Sequence, residues 1–284
     1  MILMSNNQWK CDINHDAWRA IGEDCSSEGR VDGLVRAYTE ILPDVIGLQE
    51  VSLHMADLMM EKMRTVELPD GSRARYEYIS GGDTPIVYRR DKLVLIESGF
   101  FRYSEDIPGY EGSFNNQETK SYAYGVFKDR KYGKVFALMT THLWWKSSDP
   151  SSSYYQPWSD EARAYQIMQA SAKMDEVMAK YSCPGFLMGD FNAVMSSYAL
   201  KAAEWAGWKE VHYLALGDSD STRGHHPCGG DGYKRVDMGT FDQAIDHIML
   251  KNGDGVKVNY FRRLTDEYFD KISDHYPLYI DVEL

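Results

Sequence analysis

The sequence predicts an α/β fold in which two β-sheets pack together and helices flank them. Three observations carry this. Apolar runs of strand length recur along the chain, helical periodicity falls between only some of them, and several strands follow one another closely enough for hairpins. Strands outnumber helices, which argues against a simple doubly wound βαβ sheet.

In chain order the strand candidates are PDVIGLQE (43–50), PIVYRR (85–90), KLVLIES (92–98), KVFALMTTHL (134–143), GFLMGDF (185–191), QAIDHIML (243–250) and HYPLYIDVEL (275–284). Several are continuously apolar, as expected of strands buried on both faces. The clearest helix covers 159–181, with Ser159 as the expected N-cap, Asp160 and Glu161 in the first turn, and Ala164, Ile167, Met168, Met174 and Val177 at helical spacing. GRVDGLVRAYTEIL and SLHMADLMMEKMRTV are the other helix candidates. No Pro- or Gly-rich linker, internal repeat or low-complexity segment divides the 284 residues, so the sequence reads as one domain spanning 1–284.

Composition narrows the function. With 43 acidic against 31 basic residues the net charge is −12, which disfavours tight binding to duplex DNA through phosphate neutralisation. A small phosphorylated substrate, single-stranded nucleic acid, or a metal that supplies positive charge locally stays open. Cys11, Cys25, Cys183 and Cys228 show no CxxC or Cys/His zinc spacing, and nothing calls for a disulfide framework, although one or two bridges remain open. The opening MILMSNNQWK is too briefly apolar for a signal peptide or a membrane span, which favours a cytoplasmic location.

Polar residues collect where the apolar runs stop. Asn7 follows ILMSN, Glu50 follows VIGLQ, His142 follows FALMTT, and Asp190 and Asn192 follow FLMG; Asp246 and His247 interrupt AIDHIML, and Asp274 with His275 precedes YPLYI. Buried polar groups are costly unless paired or metal-bound, so their repetition at strand ends points to a shared site. One Glu with an Asn or Asp suits Mg²⁺, with Mn²⁺ as a substitute, whereas the lack of Cys ligands and of an HxxxH spacing makes zinc the weaker reading. Asp190 can position or deprotonate water, while Asn192, His142 and His275 can donate to charge building on a phosphate. No phosphate-binding GxxxxGKS loop, GxSxG elbow or GxGxxG fingerprint is present, which excludes the corresponding ATPase, serine hydrolase and dinucleotide enzymes.

At these residues the sequence resembles the metal-dependent endonuclease/exonuclease/phosphatase superfamily, through ILMSNNQW, PDVIGLQEV, TTHLWW, MGDFNA, AIDHIM and SDHYPL in the family's order. The resemblance implies a four-layered α/β sandwich with the active site where the strand ends of two mixed sheets meet. It implies that Glu50 is the principal Mg²⁺ ligand, that Asn7 and Asp274 assist on the metal side, and that His142 donates to the phosphate. Asp190 and Asn192 match the pair that orients water and steadies the phosphate, and Asp246 matches the acid that orients His275. A carboxylate beside that imidazole also fixes its tautomer and raises its pKa.

DTPIVYRRDKLVLIESGFFRYSED further resembles a stretch reading roughly TPIFYRKDKFELLDSGTFWLSE in many bacterial members and deadenylase-like relatives. There an Arg precedes the next strand, and Lys120 is its counterpart here, without the bidentate fork. AIDHIM stands where many members read RIDYIF, and the PAWCDRIL signature of the inositol polyphosphatases is missing. His225 and His226 lie in a Gly-rich loop where they could contact substrate, although the ordinary reading as surface loop residues is favoured. Trp144, Trp145, Tyr154, Tyr155 and Trp158 crowd a Ser- and Pro-rich loop after His142, and Trp144 and Trp145 with Lys120 are the candidate substrate contacts. The sequence therefore predicts a Mg²⁺-dependent hydrolase of a phosphodiester or phosphomonoester, with a small, sugar or lipid phosphate favoured. A nuclease or deadenylase-like enzyme on single strands, and a non-catalytic binding protein on the same fold, are the alternatives.

Overall fold

The structure is a computed structural model that describes residues 1–225, 228–234 and 237–284, with the side chain of Cys228 left out. Two six-stranded mixed sheets dominate it. The first runs Lys257–Arg263, Leu278–Glu283, Ile2–Asn7, Val45–Gln49, Ile86–Arg89, Tyr76–Ile79 across its width. The second runs Lys209–Glu210, Asp246–Lys251, Gly185–Asp190, Val135–His142, Ser121–Asp129, Leu93–Arg102. Each sheet has one parallel pair at its centre, Ile2–Asn7 with Val45–Gln49 and Val135–His142 with Gly185–Asp190, and antiparallel pairs elsewhere.

Parallel neighbours end on the same edge. Register places Asn7 opposite Gln49, and Asp190 opposite His142, while the antiparallel Asp246–Lys251 strand starts opposite Asp190. Parallel pairing demands a crossover, and helices supply it: Ser27–Ile41 lies between the first pair in sequence and Ser159–Tyr181 between the second.

Side-chain alternation divides the apolar residues among three cores, which makes four layers. Leu3, Val45, Leu138, Phe186, Met188 and Ile248 meet between the sheets. Their neighbours Met4, Ile46 and Leu48 face the helices Ser27–Ile41 and Leu53–Met63, and Met139, Leu187 and Met249 face Ser159–Tyr181 and Tyr198–Trp205. Burial on both faces is the reason these runs are continuously apolar.

Some boundaries moved. Strands Tyr76–Ile79 and Lys257–Arg263 escape an apolar search because they are sheet edges with partly exposed residues. The last strand starts only at Leu278, and the run at 243–250 becomes a 3₁₀ turn, Phe241–Gln243, followed by Asp246–Lys251. The long helix keeps the expected bounds, Ser159–Tyr181, but its N-cap is Trp158 with φ 66°; Ser159 Oγ donates instead to the Gln156 carbonyl at 2.8 Å.

The sheets approach closely near the edge where the polar residues gather. A Cβ on Gly47 would lie 2.8 Å from Thr140 Cβ and 3.0 Å from Met188 Sδ of the other sheet. Gln49 Nε2 donates across the gap to Thr140 Oγ1 at 2.7 Å, pinning the two sheets by a buried hydrogen bond. Gly189 has φ 139°, and a Cβ there would sit 1.9 Å from the Thr141 carbonyl oxygen. The glycine before Asp190 is therefore required by its backbone and its neighbour alike. Gly189→Ala is expected to cost roughly 2–4 kcal/mol, read as a lower urea midpoint with an unchanged slope. An unchanged midpoint would contradict this close approach.

Candidate active site

Three of the four central strands, Ile2–Asn7, Val135–His142 and Gly185–Asp190, end directly on the polar residues that the sequence singles out, and Glu50 follows Val45–Gln49. Glu50 has φ 55° and Asn192 φ 49°, left-handed conformations rare for residues with a side chain. Both turn the chain out of its strand and leave the carboxylate or amide at the edge. Such backbone is costly and concentrates at functional positions.

The side chains converge across the two sheets. Asn7 Nδ2 donates to Glu50 Oε1 and to Asp190 Oδ2, each at 3.1 Å. His142 Nε2 lies 3.6 Å from Glu50 Oε1 and 3.5 Å from Asp190 Oδ2. His275 Nδ1 meets Asp246 Oδ2 at 2.7 Å, and its Nε2 lies 3.8 Å from Asp190 Oδ2 and 3.9 Å from Asp274 Oδ1. The Asn192 backbone N–H donates to Asp190 Oδ1 at 2.8 Å, and its side chain donates to the Leu143 carbonyl at 3.2 Å. All eight residues lie in one constellation.

Two expectations change in detail. Asn7 turns its amide nitrogen to the carboxylates, while its oxygen accepts the Trp9 N–H at 2.9 Å, so in this arrangement it orients Glu50 and Asp190. Lys120 is buried and lies 2.6 Å from His142 Nε2, so the ammonium donates to the imidazole. Burial and then Lys120 push His142 down to about 3, leaving it neutral, so the positive charge on this flank belongs to Lys120.

Charge in the site is unbalanced. Burial raises Asp190 to about 6, against His275 and with Asp246. Burial likewise raises Asp274 to about 7, with Glu50 and Asp190 adding to it against His275. Against burial, Glu50 is lowered to about 2 by the Lys120 charge and the Asn7 hydrogen bond. His275 overcomes burial through Asp246 and Asp274 and is held well above the ordinary imidazole value, while Asp246 is held low by His275. Four carboxylates thus face two cationic side chains.

A divalent cation fits this arrangement. Glu50, His142 and Asp190 bring ligand atoms within 4.8 Å of one another, and Asp274 Oδ1 is buried without a hydrogen-bond partner. Oxygen-rich donors with surplus negative charge are what a hard divalent ion requires.

A cleft of about 380 Å³ opens beside the site, lined by Lys10, Glu50, Asp83, Gln117, Thr119, Lys120, His142 and Trp145. Trp145 is 40% exposed, whereas Trp144 is 1% exposed and packs with Ile107, Phe114 and Ala162. Trp144 is therefore corrected from a substrate contact to a core residue. Lys10, Asp83, Gln117 and Thr119 escaped the sequence reading because each is an ordinary surface residue type; only the fold brings them to the cleft. Lys10 N–H donates to Glu50 Oε2 at 3.3 Å, and its ammonium pairs with Asp83 at 2.7 Å.

The remaining histidines separate. His247 is buried, with Nδ1 3.0 Å from Glu210 Oε2 and Nε2 donating to the Ala193 carbonyl at 2.9 Å, which makes it structural. His225 bridges backbone to backbone with His275, and their rings lie 6.0 Å apart. His226 lies outside the described residues. Among the described residues no helix is long and apolar enough to cross a membrane.

Comparison with known proteins finds the same fold. An endonuclease/exonuclease/phosphatase family protein of Bacteroides thetaiotaomicron superposes with a TM-score of 0.73 at 21% identity, covering 99% of this chain and 94% of that one. A mannosyl-6-phosphatase of Bacteroides thetaiotaomicron VPI-5482 also superposes with a TM-score of 0.73 at 21% identity, covering both chains in full. D. rerio TDP2 complexed with a single-strand DNA product superposes at 0.65 and 17% identity, over 100% and 99% of the two chains. A search of curated protein sequences found no match. The model of the Endonuclease/Exonuclease/phosphatase family matches residues 22–275, a range that holds seven of the eight converging residues and leaves out only Asn7. On that match the chain belongs to the endonuclease/exonuclease/phosphatase family, whose members are mostly metal-dependent phosphoesterases.

Proposed function

We propose that this chain is a Mg²⁺-dependent phosphatase acting on the phosphomonoester of a small polyol or sugar. The observation that carries this reading is the half-open cleft beside the carboxylate cluster, with its polar wall of Lys10, Asp83, Gln117 and Thr119 and one exposed indole, Trp145. Hydroxyl-rich ligands need such donors and acceptors, and an indole face packs on a sugar ring. The net charge of −12 gives little support for tracking a polyanion. The similarity in fold to a mannosyl-6-phosphatase points the same way.

Glu50, Asp190 and Asp274 are the residues that would hold Mg²⁺, with His142 beside them. When bound, the ion supplies Lewis-acid polarisation of the phosphate. The chain does the rest. Asp190 Oδ1 is held by the Asn192 N–H, and Oδ2 is steadied by Asn7, so this carboxylate is oriented to take a proton from the attacking water. His275 commits Nδ1–H to Asp246, while its Nε2–H lies 3.8 Å from Asp190 Oδ2, beyond hydrogen-bond distance, and can donate to a phosphate oxygen. Lys120 adds fixed positive charge on the opposite flank.

A second reading has its own observation. Trp145 packs edge-on against Tyr154 at 5.4 Å, and Tyr154, Tyr155 and Trp158 are exposed on the same loop, a surface on which unpaired bases can stack. The readings separate by salt. Hydrolysis of a small sugar phosphate should vary little with ionic strength, whereas cleavage of single-stranded DNA or RNA should weaken steeply.

The main test is metal-dependent hydrolysis of a panel of hexose phosphates, phosphodiesters and single-stranded nucleic acids. Turnover of a hexose phosphate is expected, with His275→Ala and Glu50→Gln each lowering kcat/KM by about 100-fold or more while the fold persists. A loss below tenfold rejects the site assignment, and silence across the panel favours the binding-protein reading. Independently of turnover, Mg²⁺ at 100 times its dissociation constant should stabilise the protein by about 2.7 kcal/mol, and Glu50→Gln should abolish most of that gain. The two neighbouring indoles should also part. Trp144→Ala is expected to cost about 3–5 kcal/mol of stability. Trp145→Ala should raise KM and leave the melting temperature nearly unchanged; a lowered melting temperature with unchanged KM would remove Trp145 from the cleft wall.

A further inference from the structure

Away from the carboxylate cluster, the loop from Trp9 to Ser26 folds over one end of the first sheet and carries two buried cysteines and a histidine. We propose that Cys11, His15 and Cys25 form a three-residue site for Zn²⁺, with the fourth tetrahedral position left to a non-protein ligand. Their ligand atoms all lie within 4.8 Å of one another, and Cys11 Sγ and Cys25 Sγ are 3.9 Å apart. Two Zn–S bonds of about 2.3 Å at a tetrahedral angle place the sulfurs about 3.8 Å apart, whereas a disulfide would hold them at about 2.05 Å. The donor set is soft and borderline, unlike the oxygen-rich catalytic cluster, so the two sites select different ions.

Without metal the Cys11 thiol donates to the Ile13 carbonyl at 3.3 Å, so zinc would bind with release of that proton. The His15 backbone N–H donates to Cys25 Sγ at 3.4 Å, a contact that stabilises negative charge on sulfur. The buried Arg30 guanidinium donates to the carbonyls of Cys11 and Cys25, at 3.0 and 2.8 Å, and so fixes the backbone on both sides of the pair. Trp9 and Trp18 pack beside the sulfurs and limit access of water, and Gly230 approaches the His15 ring so closely that a Cβ would lie 3.3 Å from Nδ1. The sequence spacing, C-x₃-H-x₉-C, matches no familiar zinc pattern, so only the fold exposes the cluster.

The site would act as a clamp on the cleft. Cys11 follows Lys10, whose backbone N–H reaches Glu50 and whose ammonium reaches Asp83, and Arg30 also gathers the carbonyls of Gln8 and Trp9. Tying Cys11 to Cys25 fixes the segment that positions Lys10. No part of the phosphatase reading is needed for the proposal.

The test uses the full chain, purified under reducing conditions, equilibrated with zinc and then freed of unbound ion by gel filtration. One zinc per chain is expected to remain, to be retained in Asp190→Asn, and to be lost in Cys11→Ser and His15→Ala. Should the variants fail to fold, the native protein decides it: a mercurial titrating its thiols should release zinc in step with modification, and cobalt substitution should give a thiolate charge-transfer band. Zinc absent after equilibration, a Cys11–Cys25 disulfide in the peptide map, or thiols that react without metal release would each overturn the proposal.

Discussion

One amide holds two carboxylates that belong to different sheets. Asn7 donates from the first sheet to Glu50 of the same sheet and to Asp190 of the second, and this junction has meaning only if the sheets approach within side-chain reach. Gly47, pressed by Thr140 and Met188, permits that approach, and the Gln49 to Thr140 hydrogen bond fixes it. The site is therefore a consequence of inter-sheet packing density. A wider core would separate Glu50 from Asp190 and leave two unrelated strand ends.

Electrostatics then follows from geometry. Bringing Glu50, Asp190, Asp246 and Asp274 together in a buried place costs energy that His275 and Lys120 offset only in part, so Asp190 and Asp274 are pushed up to about 6 and about 7. The unbalanced part is negative charge of the kind a divalent cation would neutralise. The same crowding sorts the histidines by neighbour. His275, facing three carboxylates, is held charged, whereas His142, facing an ammonium, is held neutral. Two histidines that look alike in sequence thereby take different parts.

Backbone strain is placed with the same economy. Glu50, Asn192 and Trp9 adopt left-handed conformations within two residues of the ends of strands that would otherwise carry the chain onward. Each is secured by a hydrogen bond at the site: Glu50 by Asn7 and Lys10, Asn192 by Asp190, and Trp9 by the Asn7 oxygen. Rigid strands thus deliver short, fixed turns, a better platform for oriented carboxylates than free loops.

The sequence by itself determined most of the central strand runs, the two-sheet class and the polar residues at the strand ends, because burial on both faces makes a strand apolar and makes each polar break conspicuous, whereas the edge strands Tyr76–Ile79 and Lys257–Arg263 escaped it. Glu50, His142, Asp190, Asp246 and His275 were legible for that reason. Tertiary structure alone decided who meets whom. Asn7 and Asp190 are 183 residues apart, and no local pattern encodes their contact. Trp144 and Trp145 are identical neighbours of which one packs in the core and the other lines the cleft, since burial depends on what lies opposite. His247 finds Glu210 and Ala193, Lys120 finds His142, and Cys11 finds Cys25 by the same rule. Periodicity reports which face of an element is buried; the partner on the other side is set by how the layers pack.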